Sequence, residues 1–337
     1  MKAVGYQKSL PIADDRSLVD TELPKPAPAG RDLLVKVRAV SVNPVDTKMR
    51  MRAEPPAGEW RVLGWDAAGV VETAGPDAKL FKAGDAVFYA GTLNRQGTNS
   101  EYHLVDERIV GPKPTSLSNA EAAALPLTAI TAWEMLFDRL DVKRAVPGAK
   151  NAIVIVGGAG GVGSIAIQLA RALTDLTVIA TASRPETIAW VKQLGAHHVV
   201  DHAKPLAAEV AKLGIGAPAF VFSTTQTDRH FDQIVEAIAP QGRFGLIDDP
   251  DLIDMRKLKR KSASLHWEFM FTRSMFETAD VLEQNKLLTE VSRLVDAGKI
   301  KTTLGDTFGT INAANLRRAH ALIESGKAKG KIVLEGF

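Results

Sequence analysis

The residues with the plainest chemical meaning are glycines at a fixed spacing. In Ile153-Val154-Ile155-Val156-Gly157-Gly158-Ala159-Gly160-Gly161-Val162-Gly163, a G-x-G-x-x-G run formed by Gly158, Gly160 and Gly163 follows one apolar stretch and precedes another. Ile153–Val156 reads as a strand, and the residues from Val162 onward read as a helix. A turn of this kind needs glycine dihedrals and lets the backbone come close to a pyrophosphate. The helix amino terminus, with Gly161 and Val162 in its first turn, then offers free N–H groups and the positive end of its dipole. The context predicts a dinucleotide site. The bland alternative is a turn that only packs strand against helix.

About 20 residues further on, an acidic residue at the tip of the second strand would bind the ribose hydroxyls of NAD. Here that tip reads Ala180-Thr181-Ala182-Ser183-Arg184, and the first acid is Glu186. A hydroxyl and a guanidinium suit a 2′-phosphate through charge-assisted hydrogen bonds, so Ser183 and Arg184 predict NADPH rather than NADH. The alternative for Arg184 is a solvated loop cation. His197, His198 and His202 with Asp201 resemble a metal cluster by count, but adjacent strand residues point to opposite faces, so no metal is expected there. The chain has no Cys, which removes disulfides, thiol nucleophiles and thiolate-bound zinc. Neither the G-x-S-x-G elbow nor the G-K-[ST] phosphate loop occurs, so hydrolase and NTPase readings lose their main support.

These groups need a framework to hold them. Short strands broken by Pro and Gly run through the amino-terminal part: Lys2–Tyr6, Leu33–Val42, Ala67–Glu72, Asp85–Tyr89 and Glu101–Val105. Helical stretches at 118–124 and 128–139 follow. Strands and helices then alternate from Ala152 to Ile247, which predicts a parallel, doubly wound α/β sheet. A strand near Ser264–Met270, helices at 275–297 and 312–325, and a last strand at Lys331–Leu334 complete the chain. The length of 337 residues suits two domains. With 42 basic against 39 acidic side chains the net charge is only +3, too even for a dedicated nucleic-acid binder. The first 15 residues lack an apolar signal core and no apolar run spans a bilayer, so a cytoplasmic location is expected.

Two further motifs, Ser41-Val42-Asn43-Pro44-Val45-Asp46-Thr47-Lys48 and Gly64-Trp65-Asp66-Ala67-Ala68-Gly69-Val70-Val71-Glu72, precede Lys82-Ala83-Gly84-Asp85-Ala86-Val87, the segment Leu127–Leu136 and the glycine loop. Together these resemble the medium-chain dehydrogenase/reductase superfamily across nearly the whole chain. Within it the sequence is most similar to the quinone oxidoreductase branch, in particular the zinc-type alcohol dehydrogenase-like group, whose ending Gly330-Lys331-Ile332-Val333-Leu334 also matches. The resemblance implies a GroES-like catalytic domain over residues 1–126, a Rossmann NADP-binding domain over 127–262, and a return to the catalytic domain over 263–337, with the active site in the cleft between them.

In the zinc alcohol dehydrogenases of this superfamily the metal is held by a Cys, a His and a further Cys or acid. The Cys position here reads Asn43, the His position reads Trp65, and Asp66 stands at the neighbouring acid, so no zinc is expected. Without a Lewis acid for an alkoxide, the resemblance implies hydride transfer from NADPH to a quinone or an α,β-unsaturated carbonyl. Reduction of aldehydes or enoyl thioesters, or a non-enzymatic nucleotide sensor, are the alternatives. Asn43 is expected to contact the nicotinamide ribose or the substrate oxygen. Asp46 fixes the loop or the ribose. Lys48 replaces the branch's tyrosine as an oxyanion donor or is simply solvated. Thr131 lies near the nicotinamide or packs its helix. The strand at Ser264–Phe271 predicts a homodimer, since in relatives the corresponding strand pairs with its twin; an internal strand is the alternative.

Overall fold

The amino-terminal part folds into short strands around one long one, which buries most of its residues. They are β1 (Lys2–Tyr6), β2 (Val19–Glu22), β3 (Asp32–Val42), then helix α1 (Pro44–Arg52), β4 (Arg61–Val62), β5 (Ala67–Ala74), β6 (Ala86–Tyr89), β7 (Tyr102–Asp106) and β8 (Val110–Pro112). The computed structural model describes residues 1–337 and divides them into two units, Met1–Ile130 with Phe271–Phe337, and Thr131–Met270.

In the first unit the long strand β3 organises the sheet. One edge pairs antiparallel with β5 from Leu33 to Val40. The other edge is shared: β7 pairs with Asp32–Lys36, and the carboxy-terminal strand pairs with Ala39–Val42. Gly69 is required where β5 crosses β3, because a Cβ there would lie 2.3 Å from the Lys36 carbonyl oxygen. Helix α1 begins where β3 ends. Asn43 is its extended N-cap, Pro44 supplies a preset first turn, Asp46 lies in that turn, and Arg50 and Arg52 sit at the other end. Lys48, expected at the connection from strand to helix, lies inside the helix itself. The N-cap, proline and charge pattern is the signal that starts the helix at Pro44.

Helices α2 (Asn119–Ala123) and α3 (Pro126–Trp133) lead out of this unit, and a π-helical turn, Glu134–Arg139, continues α3. The second unit then alternates β9 (Lys150–Val156), α4 (Gly161–Leu173), β10 (Thr177–Thr181), α5 (Pro185–Gln193), β11 (His198–Val200), α6 (Leu206–Ala211), β12 (Pro218–Ser223), α7 (Thr227–Ala237), β13 (Arg243–Leu246) and β14 (Ser264–Trp267). All six strands are parallel, in the order β11-β10-β9-β12-β13-β14. This is the doubly wound dinucleotide-binding order, with its switch point beside β9. Val154, Val156, Ile179, Val221, Phe231 and Phe244 belong to its buried core. Because β14 joins this sheet, the chain returns to the first unit at Phe271 rather than at residue 263. The expected helix at 275–297 divides into α8 (Thr272–Met275) and α9 (Glu283–Asp296); β15 (Leu304–Thr307), α10 (Ala313–Glu324) and β16 (Lys331–Glu335) follow. Strand β16 lies between β15 and β3. No helix is long and apolar enough to cross a membrane.

Candidate active site

The meeting of β3, α1, β5, α3 and β16 gathers four charged or amide side chains in the interior of the first unit. Asn43, Asp46 and Asp66 are each 1% exposed or less, and Lys331 is 3% exposed. The Lys331 ammonium donates to Asp66 Oδ2 at 2.8 Å, to the Val42 carbonyl at 3.2 Å, and to Asn43 Oδ1. Asn43 Nδ2 donates to Asp66 Oδ2 at 2.8 Å and to the Ser41 carbonyl at 3.3 Å. Asp66 Oδ1 accepts the Leu127 N–H at 2.8 Å, where α3 begins. Asp46 Oδ2 accepts the Asn43 N–H at 2.8 Å, which closes the first turn of α1.

Burial raises the Asp66 pKa, opposed first by Lys331 and then by the Leu127 N–H and the Asn43 amide. Asp46 is pushed up to about 7, first by burial; the Asn43 N–H and Lys331 pull it down, and Asp66 pushes it up. Its Oδ1 is buried without a hydrogen-bond partner. Asn43 was expected to touch ribose or substrate, but both of its amide hydrogens are used within the protein. Lys48, further along α1, is half-buried. The sequence reading missed Lys331, although a lysine opening the apolar run Ile332–Leu334 is itself a signal, since a buried ammonium requires an acid.

In the second unit the glycine loop follows β9 at the switch point. Gly163 carries the close packing, because a Cβ there would stand 2.4 Å from the Gly157 carbonyl oxygen. A Cβ on Gly158 would meet the Ala180 Cβ at 2.9 Å. Gly160 differs: its backbone has φ −72°, and a Cβ would meet nothing nearer than the Gly157 oxygen at 3.4 Å. The protein itself has no need of a glycine at 160. The room is on the side where α4 begins without a side-chain cap. The cradle fits a pyrophosphate held by the N–H groups of Gly161, Val162 and Gly163.

At the tip of β10, Thr181 Oγ1 accepts the Gly157 N–H at 3.0 Å. Arg184 is paired at 3.1 Å with Glu186, both side chains largely exposed at 41% and 57%. Thr131 is 5% exposed, in the second turn of α3. The three histidines do not converge: His197 Nδ1 accepts the Val178 N–H at 2.9 Å and its other nitrogen meets Arg171, whereas His202 bonds Ser183 and Thr181.

The alcohol dehydrogenase GroES-like domain model matches residues 29–115, and the zinc-binding dehydrogenase model matches residues 194–334. A zinc-type alcohol dehydrogenase-like protein of Staphylococcus aureus (strain MSSA476) is 40% identical over 99% of both chains. The chain belongs to the medium-chain dehydrogenase/reductase superfamily. A crystal structure from Rhizobium etli CFN 42, proposed to be a zinc-dependent alcohol dehydrogenase, superposes with a TM-score of 0.99 at 67% identity, covering 100% of this chain and 98% of that one. A quinone oxidoreductase of Pseudomonas syringae pv. tomato DC3000 is 26% identical with a TM-score of 0.82 over 99% of each chain. The human mitochondrial NAD(P)H oxidoreductase RTN4IP1 is 29% identical over 90% of this chain and 81% of its own. Members of this superfamily are oxidoreductases, and a nicotinamide cofactor suits the glycine cradle of this member.

The superfamily's dehydrogenases also imply a catalytic zinc, and here the residues do not fit one. The Trp65 indole nitrogen is a donor, spent on the Thr92 carbonyl at 3.1 Å. Both oxygens of Asp66 are engaged, and the cation beside it is the Lys331 ammonium.

Proposed function

We propose that this protein is a zinc-independent, NADPH-dependent oxidoreductase that reduces a quinone or an α,β-unsaturated carbonyl. The observation that carries this reading is the ammonium of Lys331 held by Asp66 and by Asn43, the residue that the resemblance puts at the first metal-ligand position of the metal-binding dehydrogenases. A reaction that needs a Lewis acid on an alkoxide has no support from such a set. A conjugated acceptor needs only hydrogen-bond donors at the oxygen where charge develops. The likeness to a quinone oxidoreductase and to an NAD(P)H oxidoreductase supports the same class.

In this reading the nucleotide supplies hydride. Gly158, Gly160, Gly161, Val162 and Gly163 hold its pyrophosphate, Ser183 and Arg184 take the 2′-phosphate, and Thr131 faces the nicotinamide. Lys48 is the donor for the developing oxyanion. Asn43 and Asp46, both buried, are positioning residues that fix the turn from which α1 projects Lys48. We propose further that two copies associate through β14, an outer strand of the parallel sheet beside which Trp267 and Phe269 are 52% and 50% exposed.

The test is NADPH oxidation at 340 nm by EDTA-treated protein with 9,10-phenanthrenequinone, an alkyl enone and an aldehyde in parallel, and NADH as the cofactor control. Quinone or enone turnover that survives chelation and prefers NADPH supports the proposal. Turnover restored only by zinc, or confined to the aldehyde, refutes it.

A further inference from the structure

Between the loop that follows β6 and the segment joining α8 to α9 lies a cavity of about 330 Å³, lined by residues of the first unit alone. A volume of this order holds a small organic molecule. Its apolar wall includes Val105 of β7, Ile109 and Val281, each 5% exposed or less. Its polar wall carries two guanidiniums. Arg95 is engaged end-on, with Nη1 and Nη2 donating to the two oxygens of Asp32 at 2.8 and 2.6 Å. Arg108 is held from the side instead: Nε donates to the Asp106 carboxylate at 3.0 and 3.1 Å, and Nη2 donates to it at 2.7 Å. That leaves the end-on fork of Arg108. Only Nη2 is used there, by Glu277 Oε2 at 3.2 Å, and Nη1 bonds nothing within the protein. His103 is engaged by the Gln96 carbonyl and the Tyr89 hydroxyl, and Ser274 by the Phe271 carbonyl.

We propose that this cavity is a binding site for a small aryl or alkyl carboxylate, which takes the Nη1–Nη2 fork of Arg108 with both oxygens and displaces Glu277. A free carboxylate matches that fork in spacing and plane, whereas Glu277 reaches only one of its two nitrogens. Glu277 is also weakly held. Its side chain is 73% exposed, so the pair is worth little in water, and its backbone has φ 43°, the left-handed region that residues with a side chain seldom adopt. The exchange keeps the charge balance. The wall carries Asp32, Asp106 and Glu277 against Arg95 and Arg108, and an incoming carboxylate takes the place of the one that leaves. Arg95 lies close enough to feel both Asp106 and Glu277, so its charge attracts the incoming anion as well. A cation finds less here, because Asp32 and Asp106 are each already bonded through both oxygens. The apolar wall favours a ligand with a hydrocarbon body over a bare anion. None of these residues belongs to the glycine loop or to the buried Lys331 network, so the inference is separate from the cofactor reading.

The experiment is ligand-observed saturation-transfer NMR on the full chain, with phenylacetate as the probe, 2-phenylacetamide and phenethylamine as its neutral and cationic counterparts, and inorganic phosphate as a competitor. Each titration is run with and without NADPH. Phenylacetate is expected to bind wild type with a Kd of about 1 mM or below, at least about tenfold more tightly than the amide or the amine, and equally in both NADPH conditions. Phosphate at equal concentration should not displace it. E277A and E277G, the second of which suits the left-handed backbone, should each bind phenylacetate about threefold more tightly, since the internal competitor is gone. R108Q, with R108M as a second neutral replacement, should bind it at least about tenfold more weakly, with thermal melts confirming that each variant is folded. Any of five results overturns the inference: wild type that binds no phenylacetate, an amide bound as tightly as the acid, displacement by phosphate or by NADPH, affinity kept in folded R108Q and R108M, or affinity lowered in E277A and E277G. Failure of NADPH to bind refutes the cofactor reading and leaves this site standing.

Discussion

Replacing Lys331 with methionine tests whether the buried network is held by charge. The substitution keeps the length of the side chain and removes the only cation that bonds Asp66. Asp66 is fully buried, its Oδ2 is 2.8 Å from the ammonium, and burial already pushes its pKa up against the pull of Lys331. Removing one partner of such a pair leaves an uncompensated buried charge, which costs about 3–5 kcal/mol. K331M is therefore expected to lose that much stability at pH 8 by urea denaturation followed by near-UV circular dichroism. The loss is smaller at pH 5. The folded protein can then protonate Asp66 at little cost, whereas raising the pH ionises the carboxylate in the unfolded chain and so favours unfolding. D66N alone strands the ammonium. The double variant K331M/D66N removes both charges and keeps an oxygen for the Leu127 N–H, so it should recover about 2 kcal/mol or more relative to the sum of the single losses. A K331M protein as stable as wild type at pH 8, or a coupling energy below about 0.5 kcal/mol in the cycle, would show that the ion pair does not hold the site.

G160A should leave stability within about 1 kcal/mol of wild type, since its Cβ meets only one oxygen at 3.4 Å, yet weaken NADPH binding more than about tenfold; G163A, with a Cβ 2.4 Å from the Gly157 oxygen, should destabilise the fold itself. Titration of both variants with NADPH alongside thermal melts separates the two effects, and a G160A protein with wild-type affinity would remove the pyrophosphate from this loop. Asp46, pushed up to about 7, contributes stability that is full below about pH 4 and is lost as pH rises through about 7, so D46N should flatten the melting temperature between pH 5 and 8. Glu268 is pushed up to about 9 by burial and by the Glu134 carboxylate, against Arg139 at 2.8 Å. E268Q should accordingly be more stable than wild type at pH 9.5 and show no such gain at pH 5; an equal effect at both values would mean that packing, not charge, governs this pair.

The alternating elements of the second unit were legible because each strand and helix carries its own periodicity and the glycine loop marks where they join. The first unit was less so. The start of helix α1 was not legible because its face has almost no apolar stripe; its residues Pro44–Arg52 are helical through capping and charge order instead. The return point was placed before β14 because a strand's sheet membership depends on its partner, and Ser264–Trp267 pairs with β13 through contacts no local pattern encodes. Asn43, Asp46 and Asp66 each drew notice in the sequence for separate reasons, and the fold brings them together. Their common partner, Lys331, lay outside the reading because an ammonium's burial is a property of the fold. His202 was noticed only as a would-be metal ligand, since its pairing with Ser183 arises from strand register.

The position of β16 between β15 and β3 has a consequence for how the chain is made. Asp66 and Lys331 are separated by 265 residues, and the Ala39–Val42 edge of β3 has no partner until β16 exists. During synthesis the amino-terminal sheet thus waits, one edge open and one buried-to-be carboxylate without its cation, while the whole parallel sheet emerges with all the partners it needs. The later unit is free to fold before the earlier one is finished. Nascent chains stalled ahead of residue 331 would present an unpaired strand edge, the feature that chaperones shield and that promotes aggregation when they do not.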